Sequence, residues 1–87
     1  MIMKLEQTFL NEIGRKMRII RASEHIQQKQ LAKKAKVSSS TISQIESGLK
    51  SPSLSTLIKI AIALDTYPHW FLEPTQEIVN SFRKDTK

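Results

Sequence analysis

The stretch that decides the fold runs Gln28-Lys29-Gln30-Leu31-Ala32-Lys33-Lys34-Ala35-Lys36-Val37-Ser38-Ser39-Ser40-Thr41-Ile42-Ser43-Gln44-Ile45-Glu46-Ser47-Gly48. Residues 27–36 are strong helix formers, with Leu31 and Ala35 on one face and Ala32 beside them. From Val37 to Ser55 the chain holds eight of its ten serines, which suggests a linker until the apolar spacing is read. Ile42 and Ile45 stand three apart, Ser38 is a natural N-cap, and Gly48 is a natural stop. That pattern predicts a helix over Ser39–Ser47. Helices of two turns are not stable alone, so both must pack on neighbours.

Upstream, Phe9, Ile13, Met17 and Ile20 step by four, four and three, which predicts a first helix over Thr8–Ala22. Ser23-Glu24-His25 breaks that pattern. Downstream, Ser53 caps a fourth helix whose core face is Leu54, Leu57, Ile60, Ala61 and Leu64. The chain turns at Asp65-Thr66-Tyr67, and Pro68 opens a short fifth helix carrying Trp70, Phe71 and Leu72. Pro74 ends it. Thr75 then caps a last helix with Ile78, Val79 and Phe82 on one face, before a fraying polar tail, Arg83 to Lys87. Phe71 belongs to the core and Trp70 to the exposed surface. Ile2, Met3, Leu5 and Leu10 form an apolar N-terminal extension, either frayed chain or packing arm.

Glycine and proline are scarce and no stretch alternates with period two, so the fold class is all-α. The 87 residues suit one domain over 1–87, with its core at 8–72 and an extension at 73–87. With no cysteine, and with His25 and His69 far apart, no metal site is expected and both histidines read as surface residues. Gly14 and Gly48 are isolated and make no phosphate-cradling loop. No nucleophile–base pair stands out, so neither an enzyme nor a cofactor is expected. No apolar run spans a membrane, and the N-terminus lacks a signal peptide's apolar region, which reads as a small cytoplasmic protein.

The net charge is +6 and unevenly spread. Nine bases (Arg15, Lys16, Arg18, Arg21, Lys29, Lys33, Lys34, Lys36 and Lys50) face only Glu24 and Glu46 within residues 15–50. Such a block suits nucleic acid or an anionic membrane surface, or is simply a solvated face.

Two short helices at this spacing match a helix-turn-helix, whose second helix enters the major groove with its first residues at base edges. That chemistry needs short polar side chains at the leading edge, met by Ser38, Ser39, Ser40, Ser43 and Gln44. It needs donors near phosphates, met by Gln28 and Lys29, Lys33, Lys34 and Lys36. It also needs a small residue where the helices touch, met by Ala32.

The ordered set Gln28-Lys29-Gln30-Leu31-Ala32, Val37-Ser38, Thr41 through Gly48 and Pro52-Ser53-Leu54 resembles the Xre/Cro-repressor family of helix-turn-helix domains. The likeness continues through Leu57, Lys59-Ile60-Ala61 and Ala63-Leu64 to Phe71-Leu72. The resemblance implies a five-helix, lambda-repressor-like fold, with a short extra C-terminal helix here. It implies a sequence-specific transcriptional regulator that binds double-stranded operator DNA as a homodimer, or alternatively a DNA-binding antitoxin that neutralises a toxin. By the same resemblance Gln28 touches backbone or base, Ser39, Ser40 and Gln44 face bases, and Thr41, Ser43, Ser47 and Lys50 lie at or near the backbone. Arg21 and Glu46 correspond to a fold-holding ion pair. Three positions depart from the family pattern. Lys36 replaces a glycine, which costs on the order of 1 kcal/mol if the backbone there is left-handed. Gln27 is a poor cap. Tyr67-Pro68-His69-Trp70 stand where acidic or small residues are commoner. The apolar surface left over, on the fifth helix and at Ile78, Val79 and Phe82, is the expected contact between copies.

Overall fold

The computed structural model describes residues 4–85. In chain order it forms α1 (Lys4–Ser23), α2 (Gln28–Ala35), α3 (Ser39–Glu46), α4 (Leu54–Ala63), a 3-10 helix η1 (Pro68–Leu72) and α5 (Gln76–Asp85). No strand occurs among the described residues. This is the all-α, lambda-repressor-like arrangement, with a 3-10 segment as the fifth helix and α5 as the extra one. Ile13 and Met17 of α1, Leu31 and Ala35 of α2, Ile42 and Ile45 of α3, Leu57 and Ile60 of α4 and Phe71 of η1 share one buried cluster. Burial of each of the larger side chains contributes about 1.5–3 kcal/mol, which holds short helices that could not stand alone.

Both serine caps form as the sequence predicts. Ser38 Oγ accepts the Thr41 N–H at 3.0 Å and Ser53 Oγ accepts the Thr56 N–H at 3.1 Å. Thr75 Oγ1 likewise accepts from Ile78 N at the start of α5. At the weak Gln27 cap, Gln30 Oε1 reaches back to accept the Gln27 N–H at 2.8 Å, supplying half of a capping box.

Several elements differ from the sequence reading. α1 spans Lys4–Ser23 rather than Thr8–Ala22, which brings Leu5 into the helix, and Leu10 is buried rather than part of a loose extension. Ile2 and Met3 lie outside the described residues. α5 continues through Asp85 instead of fraying from Arg83. Leu54 is exposed, not core. At about 100° per residue it lies some 60° from Leu57 but only 40° from Ile58, at the edge of the buried arc. Trp70 is half-buried, because its ring packs edge-on against Phe71 at 5.1 Å and under the Lys16 ammonium at 5.3 Å.

The first four helices end in one and the same turn. In each, a residue of positive φ follows the helix (His25, Lys36, Gly48, Asp65), and the next N–H bonds five residues back. This Schellman turn satisfies the last carbonyls of a helix and favours glycine at its left-handed position. Glycine stands at only one of the four, where side chains of α1 crowd the Cβ position as well. A Cβ at Gly48 would run into Asn11 Oδ1, while Gln7 Nε2 donates to both Asn11 Oδ1 and the Gly48 carbonyl. At Lys36 the left-handed backbone (φ 60°, ψ 43°) is strained and its side chain is exposed. Lys36→Gly therefore raises folding stability by roughly 0.5–1 kcal/mol, whereas Gly48→Ala lowers it by about 1–2 kcal/mol. Urea denaturation of the two variants beside the parent checks both signs.

Candidate nucleic-acid interface

α3 separates apolar from polar residues cleanly. Ile42 and Ile45 are fully buried against α2, where Ala32 leaves room for the crossing. Ser39, Ser40 and Gln44 are exposed on the other side. Among the described residues these three make no side-chain hydrogen bond, so their polar groups face solvent ready for a partner. Ser43 is half-buried at the edge of this face, and Ser47 and Lys50 are exposed beyond the helix end.

Other hydroxyls from the same stretch are already engaged. Ser38 Oγ is shared between the Thr41 N–H and the Thr41 hydroxyl at 2.8 Å. Ser47 Oγ donates to the Ser43 carbonyl at 2.9 Å. Ser38, Thr41 and Ser47 therefore shape the two ends of α3. Ser38 and Thr41 also line a groove of about 460 Å³ with Lys50, Pro52, Ser53 and Thr56, between the starts of α3 and α4.

The closed end of α3 is held by a buried charge. Glu46 is 3% exposed, and its carboxylate accepts from Arg21 Nε at 2.8 Å and Arg21 Nη2 at 3.1 Å. Gln28 Nε2 donates to the same carboxylate at 3.0 Å. Arg21 Nη1 donates to the Ile26 carbonyl at 2.9 Å, so one guanidinium joins α1, the turn after it and α3. The bidentate fork is the geometry that makes such pairs strong. The expected Arg21–Glu46 pair is thus a three-residue network, with Gln28 as its third member. Arg18 adds a bond to the Glu46 backbone carbonyl. Gly14 lets α1 approach this point, since a Cβ there would lie 2.5 Å from that same carbonyl oxygen.

The basic block divides in two once it is folded. Three of its four cations on α1 bind other elements of the fold, and the fourth, Arg15, makes an exposed pair within its own helix. Lys16 is buried, donating to the Trp70 and Glu73 carbonyls at 2.8 and 2.9 Å, where a cation satisfies the end of η1. Arg18 and Arg21 bind α3 as described. Arg15 forks onto Glu12, and its hydrogen bonds hold that carboxyl below its ordinary value. The five lysines beyond α1 (Lys29, Lys33, Lys34, Lys36 and Lys50) are all exposed. Sequence reasoning missed the inward role of Lys16. The signal was its spacing, three residues after Ile13 and four before Ile20, which puts it at the edge of the apolar stripe of α1.

Known proteins place this arrangement. The family model for the helix-turn-helix family HTH_3 matches residues 17–71, and the chain belongs to that family. Among curated proteins, none matches the sequence significantly. The chain is similar to the crystal structure of an HTH_3 family transcriptional regulator from Vibrio cholerae, with 30% identity and a TM-score of 0.73. That match covers 77% of this chain and 38% of the longer regulator. It is also similar to the restriction-modification controller protein C.AhdI from Aeromonas hydrophila (29% identity, TM-score 0.69, covering 71% of this chain and 94% of that one). A third likeness is to a chain of the SinR protein/SinI protein complex (28% identity, TM-score 0.67, covering 86% and 79%). The family and these neighbours assign the chain to DNA-binding transcriptional regulation. No described helix is long and apolar enough to cross a membrane.

Glu46→Ala leaves the half-buried Arg21 guanidinium and the Gln28 amide without their shared acceptor, and unfolding free energy falls by roughly 2–3 kcal/mol. Gln28→Ala removes one hydrogen bond to the charge and costs about 1.5 kcal/mol. Thermal and urea melts of both variants measure the difference.

Proposed function

We propose that this chain is a sequence-specific transcriptional regulator that lays α3 in the major groove of a pseudo-palindromic operator and binds it as a homodimer. The observation that carries this reading is the division of α3. Its closed end is pinned by Glu46, while Ser39, Ser40 and Gln44 stand exposed on the face opposite Ile42 and Ile45. A rigidly held helix with free donors and acceptors on one face is what base readout requires.

In this reading Gln44 is the principal reader, since its amide can pair with both N6 and N7 of adenine. Ser39, Ser40 and Ser43 reach base edges or nearby phosphates. Gln28, Ser38, Thr41, Ser47 and Lys50 fix the register on the backbone, although Gln28 also serves the ion pair through its amide nitrogen. Lys29, Lys33, Lys34 and Lys36 supply further positive charge. Lys16 does not take part, because it is buried on two carbonyls, and Arg21 is held by the Glu46 carboxylate. A second reading, in which a protein partner controls the regulator as a toxin would, draws support from the likeness to the SinR protein/SinI protein complex.

Selection of bound fragments from random DNA tests the proposal and yields the site with its half-site spacing. Two half-sites about 10 base pairs apart, one helical turn, are the expected product. No enrichment of any sequence overturns the reading. On the selected site, Gln44→Ala costs about 1–3 kcal/mol, relaxes preference at one base position and leaves the melting temperature unchanged. Lys50→Ala instead weakens cognate and scrambled DNA alike, and reduces the slope of log affinity against log salt by about 0.9. Fluorescence anisotropy over a salt series separates the two behaviours.

A further inference from the structure

We propose that Gln7, near the start of α1, is a positioning residue for DNA binding, holding the loop after α3 so that Lys50 meets a phosphate. The inference deepens the reading of α3 and Lys50 above and rests on it. Gln7 Nε2 donates to the Gly48 carbonyl at 3.0 Å and to Asn11 Oδ1 at 2.8 Å. Both protons of the amide are therefore committed, and the group cannot turn from the loop without losing both bonds. Gln7 and Asn11 stand before residues 17–71, so the span matched by the family model does not include this clamp.

The loop that the clamp reaches is otherwise thinly held. Residues 47–53 lead from α3 to α4. The Leu49 N–H closes the turn on the Gln44 carbonyl at 2.9 Å, and Ser53 caps α4. Between them Lys50 and Ser51 are exposed and, among the described residues, make no hydrogen bond. Leu49 is 77% exposed, so its side chain adds little packing. Among the described residues, the hydrogen bond that joins this loop to any element other than α3 and α4 is the one from Gln7. Lys50 lies two residues beyond Gly48, and its course follows from the peptide plane that Gln7 fixes.

A cation that must be ordered as it binds gives up conformational entropy that a held one does not. Lys50 lines the groove between the starts of α3 and α4, beside Ser38, Thr41 and Ser53. A loop fixed at Gly48 keeps that charge next to the helix that reads the bases. α3 itself does not need the clamp, because Arg21 and Gln28 hold its closed end through Glu46. Loss of the Gln7 donor therefore weakens the phosphate contact and spares base readout. Gln7 acts through Lys50 and not by touching nucleic acid.

A double-mutant cycle on the full chain is the test, with Gln7→Leu, Lys50→Ala, the pair together, and Thr8→Ala as a neighbouring control. Leucine keeps the helix propensity of glutamine and removes the donor, while Thr8 Oγ1 bonds within α1, to the Lys4 carbonyl. Circular dichroism melts set a temperature at which every variant is folded. By fluorescence anisotropy, Gln7→Leu weakens cognate and scrambled DNA alike by about 3- to 10-fold, the worth of one hydrogen bond. In the Lys50→Ala background the same change costs less than about 2-fold, because the contact it positions is already gone. Thr8→Ala binds as the parent does. Without DNA, ¹⁵N order parameters at Leu49 and Lys50 fall in Gln7→Leu, and values equal to the parent's overturn the proposal. Additive losses overturn it as well, since Gln7 would then act on the whole fold or on DNA directly. So does a loss confined to cognate DNA, or a Gln7→Leu protein that binds as tightly as the parent. A parent that binds no DNA overturns the reading of α3 and this proposal with it, whereas a parent that binds without the coupling overturns this proposal alone.

Discussion

The carboxylate of Glu46 sits where three helices meet, and the site depends on how its charge is satisfied. Arg21 approaches from α1 with two nitrogens and Gln28 from α2 with its amide, so the last residue of α3 is fixed to both of its neighbours. An unpaired carboxylate this deeply buried would cost several kcal/mol, which makes the network compulsory once the charge is inside. Around it α1 and α3 touch at backbone distance, through the space Gly14 leaves and the Arg18 bond to the Glu46 carbonyl. The orientation of α3 is thereby set at its C-terminal end.

That placement of rigidity has a consequence for the exposed end. A helix of eight residues has little stability of its own, yet the side chains at its start must be held still to read a base edge. Locking the far end and burying Ile42 and Ile45 holds the axis, so the exposed face needs no stabilising contacts of its own. Ser39, Ser40 and Gln44 remain uncommitted as a result. The Ser38–Thr41 pair completes the start of the helix without drawing on that face.

Charge is partitioned by the same logic. A cation can satisfy helix-terminal carbonyls, bind a carboxylate, or neutralise a phosphate, and here each element has its share. On α1, Lys16, Arg18 and Arg21 bind other elements of the fold, most plainly Lys16, which ties α1 to the end of η1 and covers the Trp70 ring, while Arg15 stays exposed. The exposed lysines from Lys29 to Lys50 carry the field that an anionic partner would meet. Formal net charge therefore overstates what the interface can offer.

Local pattern was enough for much of this. Helix identity followed from apolar spacing, and caps such as Ser38, Ser53 and Thr75 were legible because a cap is a contact within three residues of its own chain. The helix-turn-helix spacing and the polar leading edge of α3 were visible for the same reason, while the left-handed turn at Lys36 was raised only by the family resemblance. Contacts between elements were not legible. Helical spacing puts Lys16 at the edge of the stripe of Phe9, Ile13, Met17 and Ile20 and Arg15 off it, but nothing local supplies the two carbonyls more than 50 residues away on which Lys16 is buried. Leu54 reads as core by spacing, yet the arc that α4 buries is set by what packs on it, and Leu54 falls outside. The side chains that crowd Gly48, on top of its positive φ, come from Gln7 and Asn11 of α1, and Gln28 joins Glu46 across 18 residues. The sequence by itself determined which segments are helical, where they stop and which faces are polar, because those depend on neighbours along the chain. Only the tertiary structure decided which charges turn inward and which apolar stripe stays uncovered, because burial is a property of the packed whole.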